Sequence, residues 1–467
     1  MPRDDHGFAA QMVLPPEAAR ERDLAAMLPY VSLVDDVTVR TRGNELFQCI
    51  RLQGINSFTM DDALLDRTKG LLAAVVAQVG TEFSFYVHKV SGAVAHGLRP
   101  ISGDDFAATV DAAWRAGLEK ADLRDRSLTL TVIKRPSLTS RVPFFSKLAR
   151  ANLAEQTERQ MLKLGEVVGF LLSSFAAMRP RLLSATNGEL LGFLAGLNTG
   201  RERPIFPGSR FGYLAQDVAN TRVTFRGAVI ELTEGSAGRV FGTSFAIKNY
   251  PPKTNVTMFD ELSLPVDMVI THSFTPINSN IMAGRIKRQQ RLMRASDDGA
   301  VSLLEELEEA LDDLESKRLS FGDHHMTATV FAPSREQLEV ISGEVRNIAS
   351  STGVNLINEP MAARTHYFAQ HPGNMSFRSR KAAVTNRNFA DFAALHRTAL
   401  GKTSAELPWA TPITMFPTPE RSGYWFNYHE AGDPTKEPTG GHTLILGRPG
   451  SGKSVLAAFL MTMARRA

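Results

Sequence analysis

The sequence predicts an α+β region over most of its length, followed by the opening of an α/β fold. Three observations predict it. Short apolar runs of period two alternate with longer segments of helical period. Hydrophobic (43%) and charged (22%) residues stand at globular levels in a chain of 467 residues, room for roughly two to four domains. Near residue 450 a glycine-rich turn separates an apolar run from a helical one.

In the first portion, Pro16 to Leu28 is expected as a helix opened by proline. Val31 to Arg40 and Glu45 to Leu52 are expected as paired strands around the turn Thr41-Arg42-Gly43-Asn44. Asp61 to Val79 is a long helix with Leu64, Leu65, Leu71, Leu72, Val75 and Val76 as its apolar positions. Glu82 to Val90 is a strand with Phe83, Phe85 and Val87 on one face, Asp104 to Ala121 a helix and Ser127 to Lys134 a strand. The helices are expected on one face of the sheet. Phe145 to Met178 is helical and amphipathic, and Glu189 to Leu197 adds a short helix. Arg222 to Leu232 and Arg239 to Ile247 read as a hairpin around Thr233-Glu234-Gly235-Ser236.

The second portion is clearer. Val266 to Ser273 is a strand, and Asn278 to Arg294 is a helix carrying Arg285, Lys287, Arg288, Arg291 and Arg294. Asp297-Asp298-Gly299 breaks it, and Val301 to Lys317 forms a second helix with a leucine face and many acids. Met326 to Phe331 is a strand, Arg335 to Ser350 a helix and Val354 to Ile357 a strand. The order resembles a ferredoxin-like arrangement with an inserted helical hairpin. The basic helix either binds nucleic acid or lipid headgroups, or packs antiparallel on its acidic neighbour; the second reading is favoured because solvated charged faces are the common case.

Prolines at 408, 412, 417 and 419 punctuate residues 374–422, read as a linker region. Gly423 to Glu430 is an aromatic strand, either an edge strand of the following sheet or a wall beside a nucleotide base. The resulting division is 1–200, 201–373, 374–422 and 423–467.

The last of these holds the chemistry. Gly447-Arg448-Pro449-Gly450-Ser451-Gly452-Lys453-Ser454 is a full G-x-x-x-x-G-K-[ST] phosphate loop. Glycines let backbone N–H groups turn inward around phosphate oxygens, Lys453 sets a cation against the β/γ-phosphates, and Ser454 offers a hydroxyl to Mg²⁺. His442 to Leu446, after Gly440-Gly441, is expected as a buried strand, and Val455 to Met461 as the helix the loop opens. Lys453 is the candidate catalytic residue, and ATP and Mg²⁺ the implied cofactors. Thirteen residues follow Ser454. They leave no room for a second strand bearing the acid that organises Mg²⁺ and water, so these residues alone are expected to hydrolyse ATP weakly or not at all.

Other chemistries find little support. Cys49, the single cysteine, excludes an internal disulfide, reads as a small buried apolar residue, and favours a reducing compartment. His324-His325 point to opposite faces of a strand and share no metal easily. A net charge of +4 and a pI near 9.1 permit nucleic acid without indicating it. Val167 to Met178 is too short to span a bilayer. No signal peptide is visible, and no repeat at a solenoid period.

The long α+β region, the segment from Leu262 through Pro265 to Phe274, and the lead-in His442-Thr443-Leu444-Ile445-Leu446-Gly447 resemble the type IV secretion and conjugal-transfer ATPases of the CagE/TrbE/VirB family. The resemblance covers essentially the whole chain; Arg448-Pro449 departs from the Pro-Thr often found at those variable positions. It implies a RecA-like ATPase domain beginning at the phosphate loop, with Gly447, Gly450, Gly452, Lys453 and Ser454 matching the family positions. It also implies self-association, partners among the other secretion subunits, and a peripheral place at the cytoplasmic face of the bacterial inner membrane. The alternatives are a non-catalytic docking module and a DNA-translocating hexameric motor.

Overall fold

The computed structural model describes residues 21–22, 24–57, 59–136, 147–208, 213–233, 238–295, 301–316, 318–402, 411–428 and 442–466. The first elements are β1 (Glu21–Arg22), α1 (Leu24–Met27), β2 (Tyr30–Leu33), β3 (Thr38–Thr41), β4 (Leu46–Leu52), α2 (Asp62–Val79), β5 (Phe83–Ala93), α3 (Phe106–Lys120), β6 (Arg124–Lys134), α4 (Lys147–Ser174), β7 (Arg181–Leu182) and α5 (Glu189–Thr199). Next come α6 (Leu214–Val218), β8 (Arg222–Arg226), β9 (Val229–Thr233), β10 (Arg239–Asn249), β11 (Met268–Pro276), α7 (Ser279–Ala295), α8 (Val301–Glu315), β12 (Phe321–Ala332), α9 (Arg335–Ser351), β13 (Asn355–Ile357) and α10 (Ala363–Ala369). The last are β14 (Ala382–Thr385), α11 (Asn386–Phe392), β15 (Thr414–Pro417), β16 (Gly423–Phe426) and α12 (Lys453–Met463).

Local chemistry fixes several boundaries. Asp61 caps α2 by accepting from Leu64 N at 2.8 Å, Asp105 caps α3 through Ala108 N at 3.0 Å, and Ser334 caps α9 through Gln337 N at 3.2 Å. Thr385 and Asn388 form a reciprocal capping box on α11. Gly80 and Gly200 end α2 and α5 at φ near +75°, which a side chain would strain.

Strands β1 to β14 form one antiparallel sheet whose main path runs β1-β8-β9-β10-β12-β11-β5-β6-β4-β3-β2. Strand β7 pairs beside β4, β13 beside β10 and β14 beside β12. One topology occurs twice in it. The meander β2-β3-β4 leads to a four-strand set ordered β7-β4-β6-β5, and the meander β8-β9-β10 leads to a set ordered β13-β10-β12-β11. Counted from its own first strand, each set has the order 4-1-3-2, with a helix before its last strand. The expected ferredoxin-like order is therefore present, with β10 as its first strand. Strands β5 and β11, the second of each set, pair antiparallel from Phe85 opposite Phe274 to Ser91 opposite Met268, joining the two portions.

The sheet is covered on both faces. Leu46, Ile50, Phe85, Val87, Leu130 and Val132 pack against α2, α4 and α11, and the row continues through Ile270, Ala328 and Val330 to α9. On the other face Phe47, Cys49, Tyr86 and Ile133 pack against α5, α6 and α10. Helices on one face was thus too few; strands buried at nearly every position, as in β5 and β6, need cover on both sides.

Other expectations are corrected. Val31 to Arg40 is two strands, because Asp35 Oδ1 accepts from Val37 N at 3.0 Å and turns the chain. Arg222 to Leu232 is likewise two, split at Gly227 with φ +65°. Most of the expected helix from Pro16 lies outside the described residues; within them Glu21–Arg22 is a strand against β8 and only Leu24–Met27 is helical. The turn at 234–236, the break at 297–299 and Gly440-Gly441 also lie outside. In residues 374–422, read as a linker, β14 pairs with the first residues of β12, an interior strand, and α11 buries Phe389 and Phe392. Helices α7 and α8 pack on each other, with Lys287 to Glu315 at 3.2 Å and Arg294 to Glu308 at 2.7 Å, as the structural reading of their charges expects.

Buried histidines line the middle of the sheet. The Tyr250 hydroxyl lies 2.9 Å from His324 Nδ1, and His324 Nε2 lies 3.2 Å from His272 Nδ1, a proton chain that closes with both rings neutral. His325, on the opposite face, looks toward His366. Burial pushes His88 down to about 4, and His272 and His371 down to about 3. These folded values lie below the unfolded one, so protonation favours the unfolded chain. Stability is full above pH 6.5 and is lost as pH falls from there toward 4. At pH 5.5 each of the three should cost about 1 kcal/mol, read as a falling urea midpoint; a midpoint flat between pH 7 and 5 would contradict the neutral assignment.

Gly322 of β12 lies over Phe274, where an added Cβ would stand no more than 2.7 Å from three ring atoms. Gly322→Ala should destabilise by about 1–3 kcal/mol, and the same change in a Phe274→Leu background should cost less, measured as a double-mutant cycle.

Candidate functional site

The glycines of the phosphate loop are required for different reasons. At Gly447 a Cβ would come within 2.5 Å of Ser451 Oγ, so a side chain there would make the Ser451 hydroxyl turn away. Gly450 and Gly452 have open space around them but adopt φ of +79° and +84°, which a Cβ disfavours. Ser451 N donates to Arg448 O at 3.2 Å, making a turn around Pro449 and Gly450. Gly452 is the N-cap of α12, and Leu456 N donates to its carbonyl at 2.9 Å. Backbone N–H groups of the first helical turn, which lack intrahelical partners, therefore stand at the mouth of the loop.

Lys453 begins the helix and its ammonium folds back over the loop, donating to Gly447 O and Arg448 O, each at 2.9 Å. Ser454 is exposed on the first turn. The loop thus brings Gly447, Ser451 and Lys453 together, while Arg448 and Pro449 form the outer, exposed turn.

His442 to Leu446 departs from expectation. These residues have no regular secondary structure and pair with no strand among the described residues, and Leu444 and Leu446 are 80% and 82% exposed. The physical reason is that a strand gains its hydrogen bonds only from a neighbour, and none lies beside this one. The helix over Val455 to Met461 is present within α12.

Helix α12 is anchored at its far end. Its Phe459 ring lies 4.8 Å from Trp114 of α3 and 6.0 Å from Phe416 of β15. Leu460 and Met463 are buried, Met463 in a cluster with Ile101, Ala107 and Ile413. Beyond the helix, Arg466 pairs with Asp111, and both side chains are almost fully buried. Asp111 also accepts from Ile101 N at 3.0 Å and Arg115 Nε at 2.9 Å. Arg466 donates further to Arg99 O at 2.7 Å and to Ile413 O. The aromatic strand Gly423–Phe426 is half of a separate two-stranded sheet with β15, and Trp425 Nε1 donates to His96 O at 2.9 Å. That sheet is where α12 rests. Sequence reasoning missed this anchor, whose faint signal was a basic pair ending an apolar helix.

Residues 37–141 match the model of the type IV secretion system ATPase VirB4/TrbE, N-terminal domain, and residues 182–380 match that of the CagE, TrbE, VirB family, component of type IV transporter system. Both matched segments lie in the sheet-based body, before the phosphate loop. By these two segments the chain is similar to the CagE/TrbE/VirB family of type IV transporter components. Among its relatives, the type IV secretion system protein virB4 of Bartonella henselae is 29% identical over 452 residues, 94% of this chain and 56% of the relative. The type IV secretion system protein PtlC of Bordetella pertussis is 25% identical over 465 residues, 95% and 56%. Protein virB4 of Agrobacterium tumefaciens is 27% identical over 457 residues, again 95% and 56%. The chain therefore spans little more than half the length of these curated relatives. Among the described residues no helix is long and apolar enough to cross a membrane.

The Arg466–Asp111 pair gives a direct test. Arg466→Met removes the guanidinium and leaves Asp111 buried beside Arg115 alone, an effect on the order of 3 kcal/mol. Amide exchange across 453–463 should then accelerate on the order of a hundredfold. Arg465→Gln, which breaks a solvent-exposed pair with Asp105, should change exchange by less than about threefold.

Proposed function

We propose that this chain is the nucleotide-binding subunit of a type IV secretion system, in which ATP binding at Gly447–Ser454 energises assembly and substrate transfer. The observation that carries the reading is the loop itself: two glycines at positive φ, a third beside the Ser451 hydroxyl, and a lysine at the first turn of an eleven-residue helix. Similarity to the family supports the same reading. Loop amides and helix N-terminus offer donors to phosphate oxygens. Lys453 moves from two neutral carbonyls to the β/γ-phosphates, an exchange favoured by the opposite charge. Ser454 offers its hydroxyl to Mg²⁺, which when bound would neutralise phosphate charge.

The partners would be the other secretion subunits at the cytoplasmic face of the inner membrane, with self-association in the assembled machine. A DNA-gripping role for the basic helix gains no support from its pairing with the acidic helix.

Binding of a fluorescent ATP analogue tests the proposal. Lys453→Ala should weaken it on the order of tenfold or more, while Ser454→Ala should chiefly reduce the gain from added Mg²⁺. Equal affinity in the parent and Lys453→Ala proteins would overturn it.

A further inference from the structure

Away from the phosphate loop, a cavity of about 240 Å³ opens where β5, β6, the turn at Asp260–Glu261, residues 396–398 and Glu420 meet. Odd positions of β5 (Phe83, Phe85, Val87) and even positions of β6 (Leu128, Leu130, Val132) build the core beneath α2 and α4. Lys89 and Arg126 are the next positions in those two rows, so the alternation of the strands places two cations where the apolar rows end.

Not all of their donors are claimed. The Lys89 ammonium makes no hydrogen bond among the described residues; burial lowers its pKa, and the charge of Asp260 opposes that shift. Arg126 is 7% exposed; its Nη2 donates to Ser263 O at 2.9 Å and Glu420 O at 2.7 Å, while Nε and Nη1 are buried without a partner. The Thr398 hydroxyl in the same wall is also buried and unpartnered.

The carboxylates nearby, Asp260 toward Lys89 and Glu420 toward Arg126, offset part of the two charges without accepting these hydrogen bonds. Asp260 is taken by His396 Nδ1 at 3.0 Å and by the Ser57 hydroxyl. Glu261 is exposed at the rim, and Arg397 turns to Asp125 at 2.6 Å. An ammonium, two guanidinium N–H groups and a hydroxyl thus line one small space. Leaving such donors dry is costly, and a charged acceptor relieves all of them at once.

We propose that this cavity binds a small oxyanion of phosphate size, held by Lys89, Arg126 and Thr398. Its walls come from the first strand set, from the turn before β11 of the second, and from the hairpin β15–β16. Residue 124 is tied to that hairpin by Arg124 N donating to Arg421 O at 2.8 Å. The ligand would therefore brace the place where the two halves of the sheet meet the support of α12.

The test uses the full chain carrying Lys453→Ala, so that the phosphate loop does not report. Inorganic phosphate should raise its thermal midpoint by about 2–4 °C at tenfold excess over Kd, and broaden the phosphorus resonance. Adding Lys89→Met should abolish both effects while leaving a single cooperative unfolding transition. Glycerol 3-phosphate forms the second arm. If both ligands act, the cavity accepts a phosphate monoester end; if inorganic phosphate alone acts, it holds the free ion. No response in the Lys453→Ala protein, or a full response surviving Lys89→Met, would overturn the proposal.

Discussion

The pairing of β5 with β11 is the constraint on which the rest of the structure depends. Each is the second strand of its own four-strand set, and each is buried on both faces along nearly all its length. Alone, either would be an apolar edge with unpaired N–H and C=O groups, a liability for aggregation. Paired, they place Phe274 of the second set in the core of the first, stacked 4.7 Å from Phe389 of α11. Polar cross-strand contacts fix the register: Ser84 lies 3.0 Å from Thr275, and one set further Ser244 lies 2.8 Å from Thr329. Slipping by one residue would turn those hydroxyls and the buried histidines into apolar surroundings, so register is strongly specified.

Because the topology occurs twice, the same slot can be compared in both sets. Between the second and third strands the first set carries α3 and the second carries the pair α7–α8. Helix α3 presents Trp114 and a buried Asp111 and receives α12. The pair α7–α8 instead neutralises part of its charge internally. The duplicated framework thus uses one loop to hold the phosphate-loop helix and leaves the other to project a charged hairpin. An ionic contact at the first is sensible because it is buried and multiply hydrogen-bonded: Arg466 meets one carboxylate and two carbonyls, which offsets the cost of desolvating it.

Legibility in the sequence follows the range of the interactions. Helix α2 was readable from its apolar spacing, and α9 from Arg335 onward likewise, since periodicity is local. The phosphate loop was readable because each residue type answers a need met within eight positions. Cover on both faces of the sheet was hidden, because buried Thr, Ser and His in β6, β11 and β12 imitate the polar half of an alternating strand. So was the repeat: its strands are ordered by long-range pairing, and no fixed sequence period marks it. The anchor joining Arg466 to Asp111 spans 355 positions and leaves only two ordinary charged residues to be read.

The loop and its lead-in illustrate the same distinction within a few residues. Positive φ at Gly450 and Gly452, the Arg448–Ser451 turn and the lysine folded onto two carbonyls are all satisfied by neighbours in sequence, so the loop holds its shape without a surrounding sheet. His442 to Leu446 has the composition of a strand yet lies unpaired, since ladder bonds and burial must come from elsewhere. Met461, at 69% exposure, faces away from Phe459 and Met463, while Val455, at 74%, lies one turn before Phe459 on the same row of α12. One face of the helix is thus committed to the body through α3. An eleven-residue helix is a rod of about 16 Å, so α12 carries the loop at one end and the Arg466–Asp111 pair just past the other.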